Sequence, residues 1–201
     1  MKNISHSLQS SFQKISVFSL TLFLMGVVVL SSCNSPKAKD TEEIAEDQNE
    51  EKFENKKEND AEFLVTAAGM SLEDIKLGQL AQSRGTMPDV KELGKMMETA
   101  HAKALQELQT LAAQKQIMIP TSLTEDGKDA ENKLMKQSGK DFDKDYCDKM
   151  VKGHKDAIDK FEKASTDAND VDIRNWAASM LPALRSHLNY SLICQEKCSK
   201  M

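Results

Sequence analysis

Gly139-Lys140-Asp141-Phe142-Asp143-Lys144-Asp145-Tyr146-Cys147-Asp148-Lys149-Met150-Val151-Lys152-Gly153-His154 carries the pattern that decides the fold. On a 3.6-residue period Phe142, Tyr146, Met150 and His154 share one face, and Ile158 and Phe161 extend it. Most of the other positions are Lys or Asp. This is an amphipathic helix with a histidine inside its apolar stripe, and two further helices repeat that arrangement. Helix formers dominate the chain: charged residues make up 29% and aromatics 5%, with only 8 Gly and 4 Pro in 201 residues. β-branched runs are absent after the first 30 residues, so the expected class is all-α.

Outward from that stretch, a first long helix is expected over residues 61–84, with Asn59 and Glu62 spaced as a capping box. Its seam reads Phe63, Ala67, Met70, Asp74, Leu77 and Ala81, with one carboxylate inside it. After the short turn Gly85-Thr86-Met87, Pro88 fits the first turn of a second helix running to about Gln116. That helix carries Val90, Leu93, Met97, His101, Ala104, Leu108 and Leu111. So short a connection makes the pair antiparallel neighbours. Pro120 breaks the chain, and a short helix over 124–137 crosses to the third long helix, 140–165. A polar loop at 166–170 leads to the fourth, capped by Asp170 or Asp172 and reaching about Cys198, with Pro182 expected to kink it.

The first residues read as a lipoprotein signal peptide, residues 1–32. Lys2 and Lys14 flank a polar start. The apolar run from Ile15 to Leu30 is short for a membrane span, which needs about 20 residues. It ends in Leu30-Ser31-Ser32-Cys33, the form of a bacterial lipobox whose cysteine, Cys33, is lipidated. The expectation is an exported protein of the cell envelope, periplasmic or at the outer membrane, attached to the membrane through its N-terminal lipid. Residues 33–59 are charged and poor in apolar side chains and read as a disordered tether; residues 60–201 form the bundle domain. Without the signal peptide 25 basic side chains face 32 acidic ones. No basic patch remains, which excludes nucleic acid as an electrostatic partner. The sequence names no protein partner.

Three histidines remain after signal removal, His101, His154 and His187, one on each of three helices and each on the apolar side. Asp74 stands at a seam position of the first helix, at a level close to His101. Facing helices of a bundle are where metal sites are built, and imidazole with carboxylate suits Zn, Fe, Cu or Ni. The competing reading is that each histidine is a core residue satisfied by a neighbour. Glu98-Thr99-Ala100-His101 has the Glu-x-x-His form of di-iron bundles, but Val151 and Leu184 hold the equivalent places before His154 and His187, so a standard di-iron oxidase is not expected. The 11 methionines include Met70, Met97 and Met150 at core spacing, as filler. Cys147 and Cys194 each lie seven residues from their histidine, toward the same end of neighbouring antiparallel helices. A disulfide between them, or between Cys147 and Cys198, stands beside the alternative of buried free thiols.

Several stretches together resemble one family: Leu77-Gly78-Gln79-Leu80-Ala81; Met96-Met97 followed by His101; Phe142-Asp143 followed by Tyr146 and His154; and Leu181-Pro182 followed by Arg185 and His187. They are similar to domain of unknown function 4142, exported ferritin-like bundle proteins with no settled activity. The resemblance spans residues 61–193 and implies an antiparallel four-helix bundle, here with the short extra crossing helix. The leading expectation is a non-enzymatic module binding a metal ion or small ligand through Asp74, His101, His154 and His187. A structural or interaction protein of the envelope with core histidines and no ligand is the alternative, and a redox enzyme the third.

Overall fold

The computed structural model describes residues 39–53 and 55–200. The apolar run and Cys33 lie outside the described residues. Among the described residues six helices follow one another: α1 (Thr41–Glu50), α2 (Asn55–Arg84), α3 (Pro88–Lys115), α4 (Glu125–Met135), α5 (Gly139–Asp167) and α6 (Val171–Ser199). Among the described residues no helix is long and apolar enough to cross a membrane.

The four long helices form two hairpins, α2–α3 and α5–α6. Each helix packs mainly on its hairpin partner; α2 also packs on α5, and α3 on α6. After α3 the chain runs back along the bundle through α4, which rests on α2 and α5, with Lys76 paired to Glu131 at 3.2 Å. Gly139, with φ 58, turns the chain into α5 through a left-handed conformation that suits glycine. The architecture is the expected antiparallel four-helix bundle with a crossing helix.

Glycines set the closeness of α2 and α3. A Cβ on Gly78 would stand 2.5 Å from the carbonyl oxygen of Gly94, and one on Gly94 would stand 2.7 Å from that of Gly78. Two backbones therefore touch directly, one turn along α2 from Asp74 and two turns along α3 from His101. That contact brings the Asp74 and His101 side chains within reach of each other.

Two buried carboxylates tie the hairpins together. Asp143 of α5, fully buried, accepts hydrogen bonds from the Thr86 N–H at 2.9 Å and the Met87 N–H at 2.9 Å. The Thr86 hydroxyl donates to it as well. It thereby holds the turn that leads into α3, whose own N-cap, Met87, makes no side-chain cap hydrogen bond. At the other end Asp60 of α2 accepts from the Asn169 and Asp170 N–H groups, each at 2.8 Å, holding the α5–α6 turn.

The segment expected to be a tether holds a helix instead. Asp40 caps α1 in a capping box with Glu43 and also accepts from the Glu125 N–H at 2.8 Å. Asn49 is buried and pairs with Met118 both ways, its amide donating to the Met118 carbonyl and accepting from the Met118 N–H, each at 2.8 Å. Composition missed this because polar contacts, rather than apolar burial, fix α1; its one large apolar residue, Ile44, is exposed. The structure also starts α2 at Asn55, so Asn59 lies inside the helix and the expected capping box with Glu62 does not begin it. α6 runs unbroken through Pro182.

Removing either clamp leaves two turn N–H groups without their carboxylate acceptor. Asp143→Ala and Asp60→Ala should each lower unfolding free energy by roughly 1.5–3 kcal/mol, the range for hydrogen bonds to a charged group. Urea unfolding followed by circular dichroism measures it.

Candidate metal centre

The core of the bundle falls into two apolar blocks. One gathers Leu64, Leu108, Phe161 and Ile173; the other gathers Leu77, Leu93, Met97, Phe142, Tyr146 and Met150. Between them runs a polar layer with one contribution from each long helix. His101 lies between Met97 and Leu105 on α3, His154 between Met150 and Ile158 on α5, and His187 between Leu184 and Cys194 on α6. Asp74 lies between Ala67 and Leu77 on α2. All three histidines are buried.

The three rings form a near-equilateral triangle, with centroids 5.5, 5.4 and 5.4 Å apart. One nitrogen from each ring comes within 4.8 Å of the other two. Asp74 Oδ2 stands 3.3 Å from His101 Nε2, without hydrogen-bonding geometry, since that nitrogen has no hydrogen-bond partner. Ligands around a tetrahedral ion with bonds of about 2.0–2.1 Å sit about 3.3 Å apart. The Asp74–His101 spacing matches that, and the three histidine nitrogens lie within 4.8 Å of one another.

Hydrogen bonding fixes the direction of one lone pair. His154 Nδ1 lies 2.9 Å from the Met150 carbonyl, which can only accept, so Nδ1 carries the proton and Nε2 presents its lone pair. A ligating histidine usually has this second partner, which orients its ring. His101 Nε2, His154 Nε2 and His187 Nδ1 are buried without hydrogen-bond partners. Tyr146 has a buried hydroxyl that is likewise without a partner. Buried polar groups rarely stay so, and each such group calls for an explanation.

Burial keeps the His101 and His187 rings neutral. Burial, reinforced by His154, pushes His101 down to about 3. Burial, with His101 and His154 beside it, pushes His187 down to about 4 despite the opposing pull of Asp74. Burial pushes the Asp74 carboxyl up, against His154, Lys149 and His187. Neutral imidazole is the ligating form. The sequence alone suggests proton competition near pH 6.5, the ordinary histidine value; burial moves it lower for His101 and His187.

An apolar cleft of about 300 Å³ leads to this layer, walled by Ala67, Met70, Ala104, Phe161, Trp176 and Met180, with Asp74, His101 and His187 on its lining. The ion pair of Glu73 with Lys149, at 2.6 Å, stands at its polar side. Glu98 is not part of the layer; it accepts from Gln79 at 2.9 Å and Gln82 at 2.7 Å on the α2–α3 face.

The cysteines come together as well. Cys147 Sγ lies 3.0 Å from Cys194 Sγ and 3.7 Å from Cys198 Sγ; all three are buried free thiols. The antiparallel register that aligns His154 with His187 also aligns Cys147 with Cys194. Cys33 lies outside the described residues. Sequence reading gave no role to the clamps Asp60 and Asp143, although Phe142-Asp143 was among the stretches that resemble the family.

A family described as Domain of unknown function (DUF4142) has a model that matches residues 45–190. No curated protein and no solved structure matches the chain.

The lowered histidines carry a sign. In the metal-free protein at pH 5, unfolding lets His101 and His187 take up protons that the folded state refuses. Their contribution is complete above about pH 6.5 and is lost as pH falls toward about 4 for His187 and about 3 for His101. Asp74, raised on folding, works the other way at the acid end. Thermal melts in chelator should fall between pH 7 and 4, and less steeply in H101A/H187A.

Proposed function

From the chain's membership of the domain of unknown function 4142 family and the polar layer across its core, we propose that it is a metal-binding bundle. Asp74, His101, His154 and His187 hold one divalent transition-metal ion. One observation carries this reading: three buried imidazole nitrogens without hydrogen-bond partners converge beside a carboxylate. An ion supplies the partner that each of them lacks. Three imidazoles and a carboxylate suit zinc, iron, copper or nickel better than a hard ion such as magnesium.

The ion serves as a binding or structural centre rather than an oxidase pair. The layer holds one carboxylate, whereas a di-iron site needs several to bridge two metals. The apolar cleft gives a small ligand a route to this layer.

The protein is also proposed to be exported and lipid-anchored at Cys33. The run from Ile15 to Leu30 and the Leu30-Ser31-Ser32-Cys33 end support this. The anchor would set the bundle in the periplasm or at the outer membrane.

Elemental analysis tests the centre. The full chain, purified without a histidine tag, should carry about one metal equivalent, and H101A/H154A/H187A should carry none at that site. Equal metal content in the two, or no binding of zinc, iron, copper or nickel to the native chain, leaves the histidines as core residues. Intact-mass measurement tests the anchor: Cys33→Ser should remove the acyl mass and release the chain from membranes, and retained lipid on that variant overturns the assignment.

A further inference from the structure

The three buried thiols at the other end of α5 and α6 remain unused by the histidine layer. Cys147, Cys194 and Cys198 lie seven or more residues beyond His154 and His187, about 10 Å along the helices at 1.5 Å per residue. We propose that they form a second metal site, selective for monovalent copper.

The geometry is that of a closed sulfur cage. Cys147 Sγ is 3.0 Å from Cys194 Sγ and 3.7 Å from Cys198 Sγ, and one sulfur from each residue lies within 4.8 Å of the other two. Met87, in the α2–α3 turn, adds a thioether 3.6 Å from Cys198 Sγ. Sulfurs bound to one ion at about 2.3 Å stand roughly 3.8–4.0 Å apart. The Cys147–Cys198 and Cys198–Met87 contacts already approach that spacing, and the Cys147–Cys194 pair must open. Buried cysteines often pack singly as small apolar side chains; here every described cysteine converges on one point with a methionine beside it.

The surroundings choose the ion. Leu77, Ala81, Val90, Leu93, Met97 and Phe142 make a dry shell, which shelters a reduced ion from water and oxygen. Thiolate with thioether selects monovalent copper. Zinc calls for four donors drawn from thiolate, imidazole and carboxylate, and Asp143, the buried carboxylate at this end, is engaged by Thr86 and Met87.

Empty, the site holds protons on Cys147 and Cys198. The hydrogen bond to Cys194, together with burial, holds the Cys147 thiol up, and burial pushes Cys198 up to about 11, while the hydrogen bond from Cys147 draws Cys194 down. Asp143 and Asp89 add negative potential that disfavours thiolate and attracts a cation. Binding is therefore an exchange: each thiol that joins the ion releases one proton to solvent, and no electron moves. Cys198 sits in the last turn of α6, where fraying opens a way in.

The test is anaerobic titration of the reduced full chain with monovalent copper against a chromogenic copper chelator. Cys33→Ser is the background, so that the added thiols are these three alone. One ion per chain should be withheld from the chelator, with a sulfur-to-copper charge-transfer band in the ultraviolet. Cys147→Ser and Cys194→Ser should weaken binding at least about 100-fold, beyond the 10–100-fold typical of losing an outer-shell partner. Cys198→Ser, at the helix end where the fold tolerates change, should do the same while circular dichroism stays unaltered. H101A/H154A/H187A should bind copper as tightly as its parent, which separates this site from the histidine layer. Free competition by the chelator, copper retained by the folded Cys198→Ser chain, or tighter binding of zinc overturns the proposal.

Discussion

A helical hairpin turns its chain through backbone N–H groups that no helix satisfies, and such a donor buried without an acceptor costs about 1–3 kcal/mol. In this bundle the acceptor for each turn comes from the other hairpin. Asp143 of α5 receives Thr86 and Met87 at the α2–α3 turn, and Asp60 of α2 receives Asn169 and Asp170 at the α5–α6 turn. The two contacts lie at opposite ends of the molecule, so a slide of one hairpin along the other would break both. Register between the hairpins is thereby fixed to within less than a helical turn, which apolar packing alone does not achieve. The convergence of three rings from three helices depends on that precision.

With register fixed, the polar layer follows from positions on the helices. Gly78 and Gly94 let α2 and α3 touch backbone to backbone, and Asp74 then meets His101. The pairing of α5 with α6 sets His154 opposite His187. The layer divides the apolar core in two, an arrangement that makes little sense as packing, because buried imidazoles weaken a core unless something bonds to them. The same register stacks the thiols two turns away, so the bundle presents a nitrogen-rich layer and a sulfur-rich layer along one axis.

Periodicity made the long helices and the inward placement of His101, His154 and His187 legible, because burial at a spacing of three and four residues is local information. The antiparallel register was legible through Cys147 and Cys194, each seven residues from its histidine. Asp60 and Asp143 were not legible: a carboxylate on a helix rich in Asp and Lys looks like one more solvated charge until the facing turn is known. For the same reason α1 was misread. Its anchors are Asp40, Asn49 and Thr41, and the partners of these residues lie some 70 to 85 positions away in the α3–α4 connection. The protonation of His101 and His187 was likewise hidden, since it depends on how deeply the finished core encloses them.

The docking of α1 has a mechanical consequence. Force entering the chain at residue 39 reaches α1 before any long helix, and α1 is tied to the connection at Met118, Ser122 and Glu125 by a handful of hydrogen bonds. Those bonds are short-range, so they would shear one after another while the hairpins stayed locked. The strap thus acts as a fuse: tension spends itself in peeling ten residues off the bundle, and the buried layers feel no load until that length has paid out.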